Sequence, residues 1–496
     1  MGQVRGALAL ASLEQYLGLF INFATIATLS RLLPPAEIGT AVVATGISTI
    51  IFSLREFATT EFLIQQPSID EHDTRTAFTI FFLVSVVLGL ALAASAQELS
   101  DFYGSEEIDV FLLISIVTML IDAVSNPVMS LLRRDMAFGR IAWVRSSGAF
   151  LAATVSITFA FLGFGFVSIA IGGLVGACLT AALALAARPK AALFRPSLAS
   201  WRAVFEFGRY RGAALAINRA YEALPQLILG RALTMHEVGI YNRANTVCGI
   251  PDRFLLSSVF TVAYPALAAA LRDGQDIKAA YLTALSHITA VYWPALIVLA
   301  ILAEPVVNIV LGPNWSQTTM LVQLLALAAM FWFPATLTYP VLAALGANRD
   351  VFLSNLVGRS GAAASLCSAS LFGLTAMALS QFVNMPFQMF VALSFVKRHV
   401  QFRWLELVRA LAPSVIVTMT CVAGPVTLMA ANDFRIDHRS IGLQIAIVVL
   451  AAAGWFAGLI IARHPMLAEV TRARAAVVAA IAGLRTASGS VTIRSP

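Results

Sequence analysis

Apolar runs of about 20 residues recur along nearly the whole chain, each long enough to cross a hydrocarbon layer about 30 Å thick as a helix. Such a chain has few options, because lipid offers no partner to a free backbone N–H or C=O. The runs fall at roughly 7–29, 38–61, 76–96, 107–131, 141–162, 165–187, 210–230, 238–264, 280–303, 317–343, 352–372, 374–396, 405–430 and 441–462. They predict an all-α polytopic membrane protein of about 14 transmembrane helices. A count of twelve stays open, with the last two runs the least essential. Composition agrees: charged residues make up 12%, about half of the ~25% that a soluble surface carries. The first run carries Glu14 and lacks a small-residue cleavage site, so it is not read as a cleaved leader. Cys178, Cys248, Cys367 and Cys421 lie singly in apolar runs and read as small core residues, with no disulfide or metal framework.

The net charge is +7, from 33 Lys and Arg against 26 Asp and Glu. With both termini cytoplasmic, 24 of the 33 basic residues fall on the cytoplasmic side. Five (Arg31, Arg231, Arg243, Arg435, Arg439) fall outside, and four (Arg55, Arg219, Arg253, Arg359) lie within spans. Glu98, Asp101, Glu106, Glu107 and Asp109 crowd one outer loop. Basic residues collect on the cytoplasmic side of membrane proteins, so the excess positive charge marks orientation and gives no signal for nucleic acid.

An internal repeat organises the chain. Ser30-Arg31-Leu32-Leu33-Pro34-Pro35-Ala36-Glu37-Ile38-Gly39 recurs 200 residues later as Gly230-Arg231-Ala232-Leu233-Thr234-Met235-His236-Glu237-Val238-Gly239. Pro127-Val128, Arg134-Asp135 and Arg145-Ser146-Ser147-Gly148-Ala149 recur as Pro340-Val341, Arg349-Asp350 and Arg359-Ser360-Gly361-Ala362. Both echoes shift by six spans, an even number, so the two halves enter the membrane in the same direction. This predicts parallel six-helix lobes at 1–187 and 210–396, a cytoplasmic interfacial linker at 188–209, two extra spans at 397–462 and a cytoplasmic tail at 463–496. Trp201 to Phe207 mixes aromatics with charge and suits a helix lying on the interface; a plain basic loop is the other reading. Transporters built from such repeats place the substrate near the midplane between the halves.

These segments also carry a family resemblance. The stretch 30–39 followed by a span resembles the first outer loop of bacterial polysaccharide transporters. Ile228-Leu229-Gly230-Arg231-Ala232-Leu233, with Gly239-Ile240-Tyr241-Asn242-Arg243-Ala244, resembles the second. Tyr264-Pro265-Ala266-Leu267 resembles the close of the next span. The chain is thereby similar to the Wzx-type flippases of the multidrug/oligosaccharidyl-lipid/polysaccharide superfamily. The resemblance implies a V-shaped cavity and movement of an undecaprenyl-diphosphate-linked oligosaccharide to the outer leaflet of a bacterial inner membrane. It also implies a polysaccharide polymerase or co-polymerase complex as partner. Many members carry an acidic residue on span seven a few positions before the Gly-Arg; Pro225 stands there in this chain, with Glu222 one turn earlier.

Charges inside spans cost about 2.5–3.5 kcal/mol each at the bilayer centre and need a cavity or a partner. Arg219, Glu222 and Gln226 share one helical face by their i, i+3, i+7 spacing. The repeat mate of Glu222 is Asn22, in a polar stripe with Glu14, Gly18 and Thr25. Two polar-faced helices suit a shared cavity, while an Arg219–Glu222 pair that only packs helices fits the same spacing. Arg253, beside Asp252 and after Pro251, marks a bend, and Arg359 lies near mid-span. Arg55 lies near a span end, where snorkelling to the interface is expected. Guanidinium groups grip phosphate and carboxylate bidentately, so Arg219, Arg253 and Arg359 are the candidates for an anionic lipid-linked glycan. Glu14, Glu222 and Asp122 are the candidates for proton or cation coupling. The chain has no P-loop or zinc-hydrolase motif, and no outer loop exceeds about a dozen residues. A transporter without cofactor is therefore expected over an enzyme. A cation antiporter, or a membrane-embedded glycan enzyme or scaffold, stays as the alternative.

Overall fold

The computed structural model describes residues 2–55, 62–66, 69–105, 107–189, 194–256, 273, 276–432 and 441–472. The motif at 264–267, the ends of the second and eighth predicted spans, Glu106, Arg435, Arg439 and the tail beyond 472 lie outside these residues. The described chain is helical, with no strand.

A helix coincides with every predicted run. In order they are α1 (Gly2–Leu32), α2 (Pro35–Leu54), the short α3 (Phe62–Gln65), α4 (Glu71–Tyr103), α5 (Ile108–Arg134), α6 (Phe138–Phe161) and α7 (Val167–Ala187). Then come α8 (Trp201–Ala232), α9 (Met235–Cys248), α10 (Ile277–Ile301), α11 (Ala303–Val310), α12 (Thr318–Ala329) and α13 (Ala335–Ala344). The last are α14 (Asn348–Ser370), α15 (Leu374–Val400), α16 (Trp404–Ala430) and α17 (Ile441–Ile461). Among the described residues ten segments are long and apolar enough to cross a membrane: α2, α4 to α7, α10, α12 with α13, α15, α16 and α17. The other four predicted spans coincide with α1, α8, α9 and α14. Three of these, α1, α8 and α14, carry Glu14, Asn22, Arg219, Glu222 and Arg359.

The helices form two compact units. One comprises Met1–Arg243, Asn308–Thr318 and Leu366–Met377. Within it the two copies of the repeated loop meet. A Cβ on Gly39 would fall onto the carbonyl of Met235, and a Cβ on Gly239 onto the carbonyl of Pro35. Residues 35 and 235 are repeat mates, as are 39 and 239, so each copy makes the same contact with the other. Only glycine lets the backbones of α2 and α9 approach this closely. The copies differ in how the repeated glutamate is bonded. Thr234 donates its N–H and Oγ1–H to Glu237 Oε2 at 3.0 and 2.9 Å, capping α9. Its mate Pro34 has no N–H, and Glu37 instead accepts from the backbone of Phe166.

The end of α1 is closed by a distant segment of the same unit. The indole of Trp315, fully buried, donates to Ser30 O at 2.6 Å, and the Arg31 guanidinium donates to Ile309 O. Arg243, assigned to an outer loop by sequence, is instead 7% exposed within α9, its guanidinium 6.0 Å from the Trp315 ring. The linker also departs from expectation. Residues 201–209 run without a break into α8 instead of forming a separate interfacial helix. The residues before it dock on α4: Ser200 Oγ donates to Asp73 Oδ1 at 2.6 Å, and Ser197 N to Thr79 Oγ1 at 3.0 Å. Cys178, read as a core residue, is exposed on α7, whereas Cys248 and Cys421 are buried.

The second unit comprises Ala244–Val307, Thr319–Ser365 and Ala378–Pro496. Here α16 and α17 pack together beside α10, and the Trp455 indole donates to Ala290 O at 2.8 Å. Just past α17, His464 is 2% exposed. Its Nδ1 accepts from Met466 N at 3.1 Å, so Nε2 carries the proton and faces Ser286 Oγ at 2.9 Å and Ser414 Oγ at 3.2 Å. This one ring therefore links α10, α16 and the chain beyond α17. Repeat mates behave alike in the two units. Asp135 accepts from Arg188 at 2.6 Å in the first, and Asp350 faces His399 Nε2 at 2.6 Å in the second, each binding a basic group at or near the end of a later helix.

Two predictions follow from this packing. Gly39→Ala should destabilise the detergent-solubilised protein by about 1–3 kcal/mol through overpacking against backbone. Gly173→Ala, on α7 with open space around it, should be neutral or slightly stabilising; thermal unfolding of both variants checks this. Burial, with a smaller contribution from nearby His287, holds the His464 pKa down to about 4 from its ordinary 6.5. A folded-state pKa below the unfolded one means stability is complete above about pH 6.5 and declines as pH falls toward about 4. His464→Gln, which keeps a donor, should therefore lose less stability than wild type between pH 7 and pH 5, read as the shift in unfolding midpoint.

Candidate functional site

In the first unit the predicted polar face of α8 is present. Arg219 Nη1 lies 2.8 Å from Glu222 Oε2, and both side chains stay open, 55% and 52% exposed. Ala223, Leu229 and Gly230 of the same helix are buried, and Gln226 lies half-buried beside Gly46 of α2. The two readings of this spacing thus combine: the ion pair forms, yet it does not bury itself. If α8 crosses the membrane, a charged pair this open calls for water or a polar ligand before it, because hydrocarbon there would cost several kcal/mol.

The stripe on α1 divides. Asn22 is exposed, but Glu14 turns to α6 and pairs with Arg145 at 3.6 Å. Asp122, on α5, is likewise engaged: Arg55 Nη2 lies 3.7 Å from Asp122 Oδ2, and Arg55 Nη1 donates to Met119 O at 3.2 Å. The Arg55 guanidinium sits 5.5 Å from the Phe52 ring and 5.2 Å from the Phe81 ring, and the residue is 9% exposed. The expected snorkelling of Arg55 is therefore wrong. A carboxylate within reach and two aromatic faces hold the cation inside the protein. Within this unit the candidates form three separate pairs, Arg219–Glu222, Glu14–Arg145 and Arg55–Asp122. The second and third were not foreseen, because their partners are far apart in sequence.

Arg253 and Arg359 belong to the second unit. α9 ends at Cys248, and after Pro251 the chain makes a π-helical turn over Asp252–Leu256 on which Arg253 is exposed. Proline removes one ladder hydrogen bond, and π-turns recur at functional sites; the regular α-helix gives way here to a π-turn. Arg359 lines a cavity of about 170 Å³ with Trp332, Thr338, Tyr339, Asn355 and Gln388 among its neighbours. Sequence reading found Arg359 but passed over Gln388, Asn384 and Gln381, whose i, i+3, i+7 spacing on the apolar helix α15 was the available signal.

Residues 28–320 match the model of a family described as polysaccharide biosynthesis protein. The chain belongs to that family. Among its relatives, the succinoglycan biosynthesis transport protein ExoT of Rhizobium meliloti is 26% identical over 349 residues, 69% of this chain and 70% of that protein. The lipopolysaccharide biosynthesis protein WzxC of Escherichia coli is 24% identical over 318 residues, 62% of this chain and 63% of that one. In fold the chain is similar to lipid II flippase MurJ in an inward closed conformation, with a TM-score of 0.72 at 14% identity over 92% of this chain and 98% of the other. The Wzx-type resemblance of the repeated loops is thus shown, and the fold is that of an all-α membrane transporter. The family match takes in the open Arg219–Glu222 pair, the Arg55–Asp122 pair and both copies of the repeated loop, while Arg359 lies beyond it.

The Arg55–Asp122 pair can be tested by truncation. Arg55→Leu should leave the partly exposed Asp122 without its cation and cost about 1–3 kcal/mol, whereas Arg55→Leu with Asp122→Leu should recover much of that loss. Unfolding midpoints in detergent, with the level of membrane-inserted protein, check both.

Proposed function

We propose that this protein moves a lipid-linked oligosaccharide from the cytoplasmic to the outer leaflet of a bacterial inner membrane, for assembly of an exopolysaccharide or O-antigen. Membership of the polysaccharide biosynthesis family carries the reading, supported by relatives named as transport and Wzx proteins and by a flippase-like fold. The open Arg219–Glu222 pair supplies the chemistry: a fixed cation on a polar helix face, able to receive a diphosphate through charge-assisted hydrogen bonds. Gln226 and Asn22 extend that face, and Arg253 adds a second cation on a π-helical turn. Glu222, Glu14 and Asp122 each lie within reach of an arginine, and Glu222, on the pair left open, is the favoured coupling group.

In this proposal all fourteen predicted runs cross the membrane, both termini are cytoplasmic, and an undecaprenyl-diphosphate carrier bears the glycan. A polymerase complex would take the product. The lobes at 1–187 and 210–396 would move against each other around the substrate. The relatives are transporters and flippases, and the proposed role involves no bond-making chemistry.

A deletion strain tests the reading. Lipid-linked repeat units should accumulate on the cytoplasmic leaflet, and surface polymer should be lost. Normal polymer with reduced tolerance to cationic dyes would favour an antiporter, and failure to form any lipid-linked unit would place the protein earlier, as an enzyme. Arg219→Ala, at unchanged protein level, should lower export by at least about tenfold, the equivalent of one lost charge-assisted contact; unchanged export would reduce Arg219 to a packing residue.

A further inference from the structure

We infer that the cavity around Arg359 is a subsite for a single sugar ring bearing a carboxylate, separate in chemistry from the place that holds the diphosphate. The inference rests on the proposed transport of a lipid-linked glycan and adds where, and by which groups, its sugar is read.

Size sets the first limit. At about 170 Å³ the cavity falls below the roughly 300–1,000 Å³ of sites that enclose drug-sized molecules, and it is open on one side, so it seats one ring and leaves the rest of a glycan outside it. Charge sets the second. Among the residues lining it, Arg359 is the one charged side chain; the others are aromatic, amide, hydroxyl or small. A diphosphate carries about two negative charges and calls for more than one cation, whereas a single guanidinium matches one carboxylate in a bidentate fork. The remaining lining fits a sugar. Asn355 and Gln388 each present a donor and an acceptor, the pairing that neighbouring hydroxyls require, and Thr338 adds a hydroxyl. Trp332 and Tyr339 offer flat apolar faces with a polar edge, suited to the C–H face of a ring.

A second observation concerns α15. Gln388 Nε2 donates to Asn384 Oδ1 at 3.2 Å, and Asn384 Nδ2 donates to Gln381 Oε1 at 3.0 Å. Asn384 and Gln381 are each only 3% exposed, and Gln381 Nε2 is buried without a partner. Three linked amides inside an apolar membrane helix are costly unless they do something, because each buried polar group must be satisfied. Their arrangement fixes the Gln388 amide: one of its N–H groups is committed to Asn384, which holds the side chain in place where it lines the cavity. The chain of amides is thus a support that orients a ligand-reading group. Asn384 and Gln381 are positioning residues in this scheme. Gly361 helps to seat α15 beside α14, since its missing Cβ leaves room for the Phe387 ring.

The test uses the full-length protein in lipid nanodiscs, titrated calorimetrically with D-glucuronate, D-glucose and inorganic pyrophosphate, with flipping of the lipid-linked glycan measured on the same preparations in vesicles. D-glucuronate should bind saturably and more tightly than D-glucose, and pyrophosphate should not displace it. Arg359→Gln should weaken glucuronate by about tenfold, the loss of one charge-assisted contact, and leave glucose nearly unchanged. Gln388→Leu should weaken both sugars. Asn384→Leu should weaken both by less, and Asn384→Gln should restore part of the loss if the amide chain positions Gln388. Unfolding midpoints identify any variant that has lost its fold, and Arg359→Lys then replaces Arg359→Gln, with a smaller loss expected because one fork is gone. Displacement of glucuronate by pyrophosphate in an Arg359-dependent way would overturn the inference in favour of a headgroup site. Absence of sugar binding in a preparation that still flips its substrate would overturn it outright. Sugar binding without flipping would leave the subsite standing and remove the transport role.

Discussion

A charge in hydrocarbon must have a partner, and nearly everything specific about this structure follows from that constraint. With 12% charged residues, the chain has few ions to place, and those inside the helices are the informative ones. Arg55 is held by Asp122 and two phenylalanine rings. Arg145 is held by Glu14, and Arg243 lies against a buried tryptophan. Of these pairs, Arg219–Glu222 is the one in which both side chains are more than half exposed, although Arg145 is also 49% exposed. A matched pair that packs helices would be closed over by side chains, as Arg55 is. If α8 spans, as proposed, an open pair there calls for something polar to meet it.

The close approach of α2 and α9 applies the same economy to the backbone. Without side-chain volume at Gly39 and Gly239, two helix starts meet with reciprocal contacts between repeat mates. Small residues at a crossing replace the hydrophobic drive that lipid cannot supply. The repeat is therefore visible in three dimensions as a shared local role, and the Asp135–Arg188 and Asp350–His399 pairs repeat the lesson elsewhere. Duplicated sequence has kept duplicated function at its structural joints while its polar interiors diverged: Arg145 binds a glutamate, whereas its mate Arg359 lines a cavity.

Divergence of this kind suits a carrier whose substrate is chemically two-ended. A lipid diphosphate and a sugar make different demands, one for several cations and the other for amides, hydroxyls and ring faces. The first unit offers the open ion pair, and the second offers a small amide-rich cavity with one arginine. Nothing in this division needs a cofactor, since the work is recognition and movement.

Helix positions were legible in the sequence because the length and apolarity of each run answer to bilayer thickness and backbone satisfaction, both local constraints. The repeat and the irregularity after Pro251 were legible for similar reasons, as was the pairing of Arg219 with Glu222, which lie one turn apart on one helix. What the sequence could not determine was any partner chosen across helices. Arg55 and Asp122 are 67 positions apart, Glu14 and Arg145 are 131 apart, and spacing along the chain says nothing of either. The burial of Arg243, the continuity of 201–209 with α8 and the exposure of Cys178 likewise depend on which neighbour each helix face meets. Sequence alone determined that this is a helical membrane protein with a duplicated plan and a handful of buried ions. Tertiary structure decided which of those ions are spent on one another and which stand open, because that depends on packing between segments that sequence order does not bring together.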